Sequence, residues 1–320
     1  MLAGRRSDAR TIANCRRSIR RWVTSLVLAG FTVAASADVT TFHIELPATS
    51  ARTVNVQVSY PNDNCSPCQL VVFSHGAFSA PERYARLLNS WAAGGYVIAA
   101  PLHVDSELNP SRDQYDGSAT MLARLEDYAL LTDSLALRSA LAERGVALRE
   151  GVIAAGHSYG GLIAQAAAGA RLQQLDPPPT QLLAARDRIV GVVALSPPGT
   201  MAGYVEAQDY SLIEKPMLVV TGTTDILPGF VDDWRGHLAS YEAAGAEPAY
   251  ALIFTQQDHY FNGAFGRPQD DLDPATVGAL ASLNTLTLQF MRALTDSDLP
   301  DTDAWISLSG PGVEARATAP

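Results

Sequence analysis

The stretch Gly156-His157-Ser158-Tyr159-Gly160-Gly161 separates an apolar run, residues 151–155, from a helix-forming run, 162–168. Strand, G-x-S-x-G and helix, in that order, mark a nucleophile elbow. The reason is steric. A serine on so tight a turn sits in strained backbone geometry, and small residues on either side let strand and helix approach closely. The serine oxygen then projects above the sheet edge, with a helix N-terminus beneath it that favours negative charge.

Residues 1–37 read as a leader. Arg16, Arg17, Arg20 and Arg21 form a basic region, 22–34 is apolar but short for a bilayer, and Ala35-Ser36-Ala37 is a cleavage signal. The expectation is a signal peptide cut before Asp38, giving an exported chain, periplasmic or extracellular, with no stable membrane insertion. The leader carries seven arginines against one acid, Asp8, so its loss takes the formal charge from -10 to -16. A chain that acidic, with Lys215 as its one lysine, lacks the clustered cations that nucleic-acid binding needs. Two cysteines survive, Cys65 and Cys68, in a C-x-x-C placed between strand-like runs. Redox motifs normally open a helix, so an exported chain with this pair in a turn is expected to form a structural disulfide.

The rest fits one large domain, 38–296, followed by an acidic and polar tail, 297–320, expected to be peripheral and disordered at its end. Residues 40–46 and 53–60 alternate polar and apolar as antiparallel outer strands do. Six short runs, 70–73, 96–100, 152–155, 189–195, 217–221 and 250–254, are almost wholly apolar and suit parallel strands buried on both faces. Helical patterns fill the gaps at 81–93, 118–144, 162–173, 231–244 and 274–294. The fold class is therefore α/β: a doubly wound, mostly parallel, eight-stranded sheet with helices on both faces.

A serine nucleophile needs a base, and the base an orienting acid. Of six histidines, His259 fits as base because it follows the last strand, in Gln256-Gln-Asp-His259. His43 lies in an early strand, His237 falls mid-helix with a solvated default, and His157 is expected to point away from the cleft. The acid should leave an earlier strand, and Asp225 ends Met217-Leu-Val-Val-Thr-Gly-Thr-Thr-Asp225. Asp258 competes but adjoins His259, while Asp232 and Asp233 are explained as helix caps. Two backbone N–H groups should face the developing oxyanion: that of Tyr159, after the serine, and that of Ala77, after the turn at Gly76. His75 reads as a brace for that loop.

Ser74-His-Gly76, Gly156-His-Ser-Tyr-Gly160, Gly222-Thr-Thr-Asp225 and Asp258-His259 together resemble the α/β-hydrolase fold family. The nearest likeness is its compact group of dienelactone hydrolases, chlorophyllases, platelet-activating-factor acetylhydrolase-like esterases and polyesterases. The resemblance implies a Ser158/Asp225/His259 triad with Ala77 and Tyr159 as oxyanion donors. The chemistry read from these residues requires no metal or organic cofactor. Dienelactone hydrolases proper use cysteine where this chain has Ser158. The family places its lid between the sixth and seventh strands, and 196–216 is too short for a folded cap domain. An open cleft is expected, walled by 103–117 and 196–208, with Phe78, Tyr159, Tyr260 and Phe261 available to line it.

These readings imply a secreted serine carboxylic-ester hydrolase for short-chain or polymeric esters. Acyl transfer or amide hydrolysis by the same triad stays open, because only the second half-reaction differs. An inactive binding protein on this scaffold would be missing a triad residue, and none is missing. A thiol–disulfide protein would need Cys65 and Cys68 to cycle.

Overall fold

The computed structural model describes residues 38–318, apart from 51, 63–64 and 246. The leader lies outside the described residues. Nine strands form one sheet in the order β1-β2-β4-β3-β5-β6-β7-β8-β9. They are β1 (Val39–Pro47), β2 (Thr53–Pro61), β3 (Cys68–Ser74), β4 (Tyr96–Pro101), β5 (Leu148–His157), β6 (Ile189–Leu195), β7 (Met217–Gly222), β8 (Ala249–Phe254) and β9 (Val313–Ala317). From β4 to β8 every neighbouring pair is parallel, while β1, β2 and β9 pair antiparallel. The expected parallel core is thus present, because runs such as Leu70-Val-Val-Phe73 are buried on both faces.

Alternate residues of each central strand feed two apolar layers. Leu70 and Val72 join one, Val71 and Phe73 the other. The first layer is covered by α2 (Gly117–Thr132), α3 (Leu135–Ala142), α4 (Tyr159–Ala168) and α5 (Thr180–Arg188); the second by α1 (Ala85–Ala93), α8 (Pro274–Asp296) and α9 (Thr302–Ile306). Between β6 and β7 there is only the one-turn α6 (Ala207–Tyr210), so no separate cap stands over the sheet among the described residues. Among them, no helix is long and apolar enough to cross a membrane.

Four expectations are corrected. The helix expected over 118–144 is two, because Ser134 breaks the run and caps α3 through the Leu137 N–H. The pattern at 231–244 is a tight 3₁₀ turn, Trp234–Leu238, followed by the short α7 (Ala239–Glu242). The sheet has nine strands rather than eight. The ninth comes from the tail, which is integral rather than peripheral: β9 completes the open edge of β8, and an unpaired edge is a liability that such a strand removes. Ala319 and Pro320 lie outside the described residues.

In the same tail Trp305 is fully buried, edge-on to Tyr250 at 4.9 Å and Phe290 at 6.1 Å between ring centroids. Trp305→Ala should cost about 3–5 kcal/mol through lost burial and the cavity left behind. Equilibrium denaturation of the variant measures this, and a loss below about 1 kcal/mol would restore the peripheral reading.

Candidate active site

Ser158 stands where β5 turns into α4, with φ 54° and ψ -123°. This is strained backbone for a residue with a side chain. Three backbone hydrogen bonds hold it: the Ser158 N–H donates to Leu195 O, and the Gly161 and Leu162 N–H groups donate to Ser158 O. A Cβ at Gly160 would lie 1.9 Å from Ser74 O, so only glycine lets α4 start against the end of β3.

The loops after β7 and β8 bring in two further residues. His259 Nε2 is 2.9 Å from Ser158 Oγ, and its Nδ1 is 2.8 Å from Asp225 Oδ1. The loops meet at Gly222, where a Cβ would fall 2.0 Å from Gln257 O. Thr221 donates its hydroxyl to Asp225 Oδ2 at 2.9 Å. Burial pushes the Asp225 carboxyl up, but His237 and His259 against it prevail and hold it well below the usual carboxylate range. Asp258 turns away from His259; its Oδ1 accepts the Tyr260 and Asn262 N–H groups and braces the loop. Asp233 accepts the Arg235 N–H at the start of the 3₁₀ turn, as a cap does.

Two histidines depart from expectation. His237 is fully buried, not solvated: its Nδ1 donates to Pro197 O at 2.6 Å, and its ring stacks on His259 at 5.6 Å. Its Nε2 lies 2.9 Å from Asp225 Oδ1 but off the N–H line, a close approach rather than an aligned hydrogen bond. The spacing Trp234, His237, Leu238, Tyr241 is that of an apolar helical face and carried the signal. His157 does not point away from the cleft. Tyr84 donates its hydroxyl to His157 Nδ1, and His157 Nε2 donates to His259 O, so the elbow grips the backbone of the histidine loop. Burial first, and the nearby His259 second, hold His157 neutral, its pKa lowered to about 3.

Asp225, His237 and His259 also place one potential metal-ligand atom each within 4.8 Å of one another. Of these atoms, Asp225 Oδ1 is engaged by His259 Nδ1, and the other His259 nitrogen by Ser158, while His237 Nε2 only approaches the same carboxylate oxygen.

Ala77 and Tyr159 line, with Ser158, one cavity of about 400 Å³. The Ala77 N–H has no hydrogen-bond partner among the described residues, and that of Tyr159 is the first of α4, which a helix leaves free. His75 is the brace expected of it. It is fully buried, its Nε2 accepts the His103 N–H, and its Nδ1 donates to Gly76 O at 2.8 Å. The residue missed here is Arg124, fully buried and hydrogen-bonded to Asp105, His75 O and Gly76 O. It occupies the apolar stripe Met121, Leu125, Tyr128 of α2, and a cation in such a stripe was its signal.

A second cavity of about 470 Å³ shares Ala77, Phe78, Tyr159, Met201 and Phe230 with the first, so the two adjoin and extend the cleft that Ser158 lines. The two expected loops line it through Glu107, Tyr115, Pro198 and Met201. Phe78, Tyr159 and Tyr260 line it as expected. Phe261 does not; it is buried against Phe254 and Phe265. Cys65 and Cys68 are joined as a disulfide at the start of β3, and neither lines the cleft.

No curated protein matches the sequence. Among solved structures, a candidate dienelactone hydrolase from Klebsiella pneumoniae subsp. pneumoniae MGH 78578 superposes with a TM-score of 0.54 at 14% identity. The match covers 78% of this chain and 98% of that one, and it shows a shared fold. Residues 71–314 match the family model described as the alpha/beta hydrolase family, and the chain belongs to that family.

Proposed function

We propose that this hydrolase is an exported serine carboxylic-ester hydrolase acting through an acyl-enzyme. The observation that carries the reading is the unbroken line from Ser158 Oγ through both nitrogens of His259 to the buried Asp225. The ionised carboxylate accepts only, so His259 carries its proton on Nδ1 and offers the Nε2 lone pair to the serine hydroxyl. His259 takes the Ser158 proton as the oxygen attacks the ester carbonyl. The Ala77 and Tyr159 N–H groups receive the oxyanion, worth ~10²–10³ in rate per donor. The imidazolium returns its proton to the leaving alcohol. Water, activated by the same nitrogen, then releases the acid and regenerates Ser158.

An apolar cleft that extends from Ser158 into the adjoining cavity and is free of a cap favours esters with short acyl groups, or stretches of a polymer chain laid across the site. The leader and the Cys65–Cys68 disulfide support an oxidising, extracytoplasmic destination.

Release of p-nitrophenol from acetyl, butyryl, octanoyl and palmitoyl esters tests the reading. Turnover is expected to be greatest with acetyl or butyryl and to fall with length. A palmitoyl optimum would overturn the short-acyl assignment, and absence of turnover on every ester would overturn the esterase itself.

A further inference from the structure

Building on the esterase reading, we propose that Arg124 is the positioning residue of the oxyanion hole, fixing from below the Gly76–Ala77 peptide and the Tyr159 side chain. Its guanidinium takes two consecutive carbonyls: Nη1 donates to His75 O at 2.6 Å, and Nη2 to Gly76 O at 3.1 Å. A trans peptide is planar, with C=O and N–H on opposite sides. Holding the Gly76 carbonyl against Arg124 therefore turns the Ala77 N–H the other way, toward the cavity that Ala77 and Ser158 share. His75 Nδ1 reinforces the same carbonyl. That bond needs a neutral ring with its proton on Nδ1, and burial followed by the Arg124 charge keeps His75 well below the usual histidine range.

The same guanidinium lies over the ring of Tyr159, 4.6 Å from its centroid. One side chain thus holds the carbonyl of the peptide that carries the Ala77 N–H and packs on Tyr159, whose N–H is the second donor. Asp105 completes the fixture. Its two oxygens accept from Arg124 Nε and Nη2 at 2.8 and 2.9 Å, and Oδ2 also accepts the Phe78 N–H at 3.2 Å. A buried ion pair is poor value as a stabiliser, since an apolar pair of equal volume is often as good. What an apolar pair cannot do is hold consecutive carbonyls in a chosen orientation. Lysine cannot replace the fork either, being a single point donor.

The test uses the full protein, Arg124→Lys, and the Arg124→Gln/Asp105→Asn double variant, which leaves no orphan charge if the lysine variant does not fold. Kinetics on the butyryl ester are paired with inhibition by a butylboronic acid, whose tetrahedral adduct on Ser158 places an oxygen where the oxyanion forms. The expected result is a fall in kcat of about 10²-fold with KM within about 3-fold, and a boronate affinity weakened by the same factor as kcat/KM. A merely structural arginine would lower the amount of folded enzyme but leave boronate affinity per active site unchanged. The proposal is overturned by kcat within 3-fold of the wild type, by a loss confined to KM, or by unchanged boronate affinity. A wild-type enzyme without Ser158-dependent turnover overturns the esterase reading, and this proposal with it.

Discussion

Ser158→Ala is expected to lower kcat on the butyryl ester by about 10⁶-fold while leaving the fold in place. Magnitudes of that order follow removal of the nucleophile in a triad, where the three residues act as a unit and little is left for the other two to do. The residual rate over water, ~10³–10⁴, would come from the oxyanion donors and from binding alone. The fold should survive because the Ser158 side chain makes one hydrogen bond, to His259, whereas the elbow is held by backbone bonds to Leu195 and from Gly161. Alanine also tolerates the positive φ no worse than serine. The stability change should therefore stay within about 1.5 kcal/mol, the range of a single hydrogen bond. Parallel measurement of p-nitrophenol release and thermal unfolding separates the two effects. Retention of more than about a hundredth of wild-type kcat by a well-folded variant would remove Ser158 from the role of nucleophile.

The parts of this molecule that could be read in advance are those where burial dictates residue type. Strands such as Val152-Ile-Ala-Ala155 must be apolar on both faces, so their positions and parallel pairing were legible, and with them the strand ends that carry Ser158, Asp225 and His259. β9 was not legible. Val-Glu-Ala-Arg-Ala has little strand character of its own, and its conformation is imposed by the free edge of β8, a tertiary effect that local pattern does not encode. The helix α5 escaped for a related reason: Pro177-Pro-Pro179 reads as a break, and the residues after it, Thr-Gln-Leu-Leu-Ala-Ala-Arg-Asp-Arg, pack few side chains.

Arg124 and His237 are a different case. Each sits at helical spacing among apolar neighbours, where a polar side chain is costly without partners. A default of solvent exposure for His237 gave more weight to residue type than to spacing. The partners themselves, Asp105 and Gly76 for Arg124, Pro197 for His237, come from distant loops and become visible only once the sheet has assembled.

Asp225→Asn should cut kcat by about 10⁴-fold, the scale seen when a triad acid becomes an amide and the histidine takes the wrong tautomer. The surroundings decide which way the new amide faces. Thr221 donates its hydroxyl to the Oδ2 position, so the amide oxygen belongs there. The NH₂ group then occupies the Oδ1 position, 2.8 Å from His259 Nδ1 and 2.9 Å from His237 Nε2. A donor there drives the His259 proton to Nε2, which then donates to Ser158 instead of accepting from it. Asp258→Asn is the matched control, since its carbonyl oxygen can still accept the Tyr260 and Asn262 N–H groups, and kcat should stay within a few-fold of wild type. If instead Asp258→Asn were inactive and Asp225→Asn near normal, with both variants folded, the acid would have to be reassigned to the loop that carries His259.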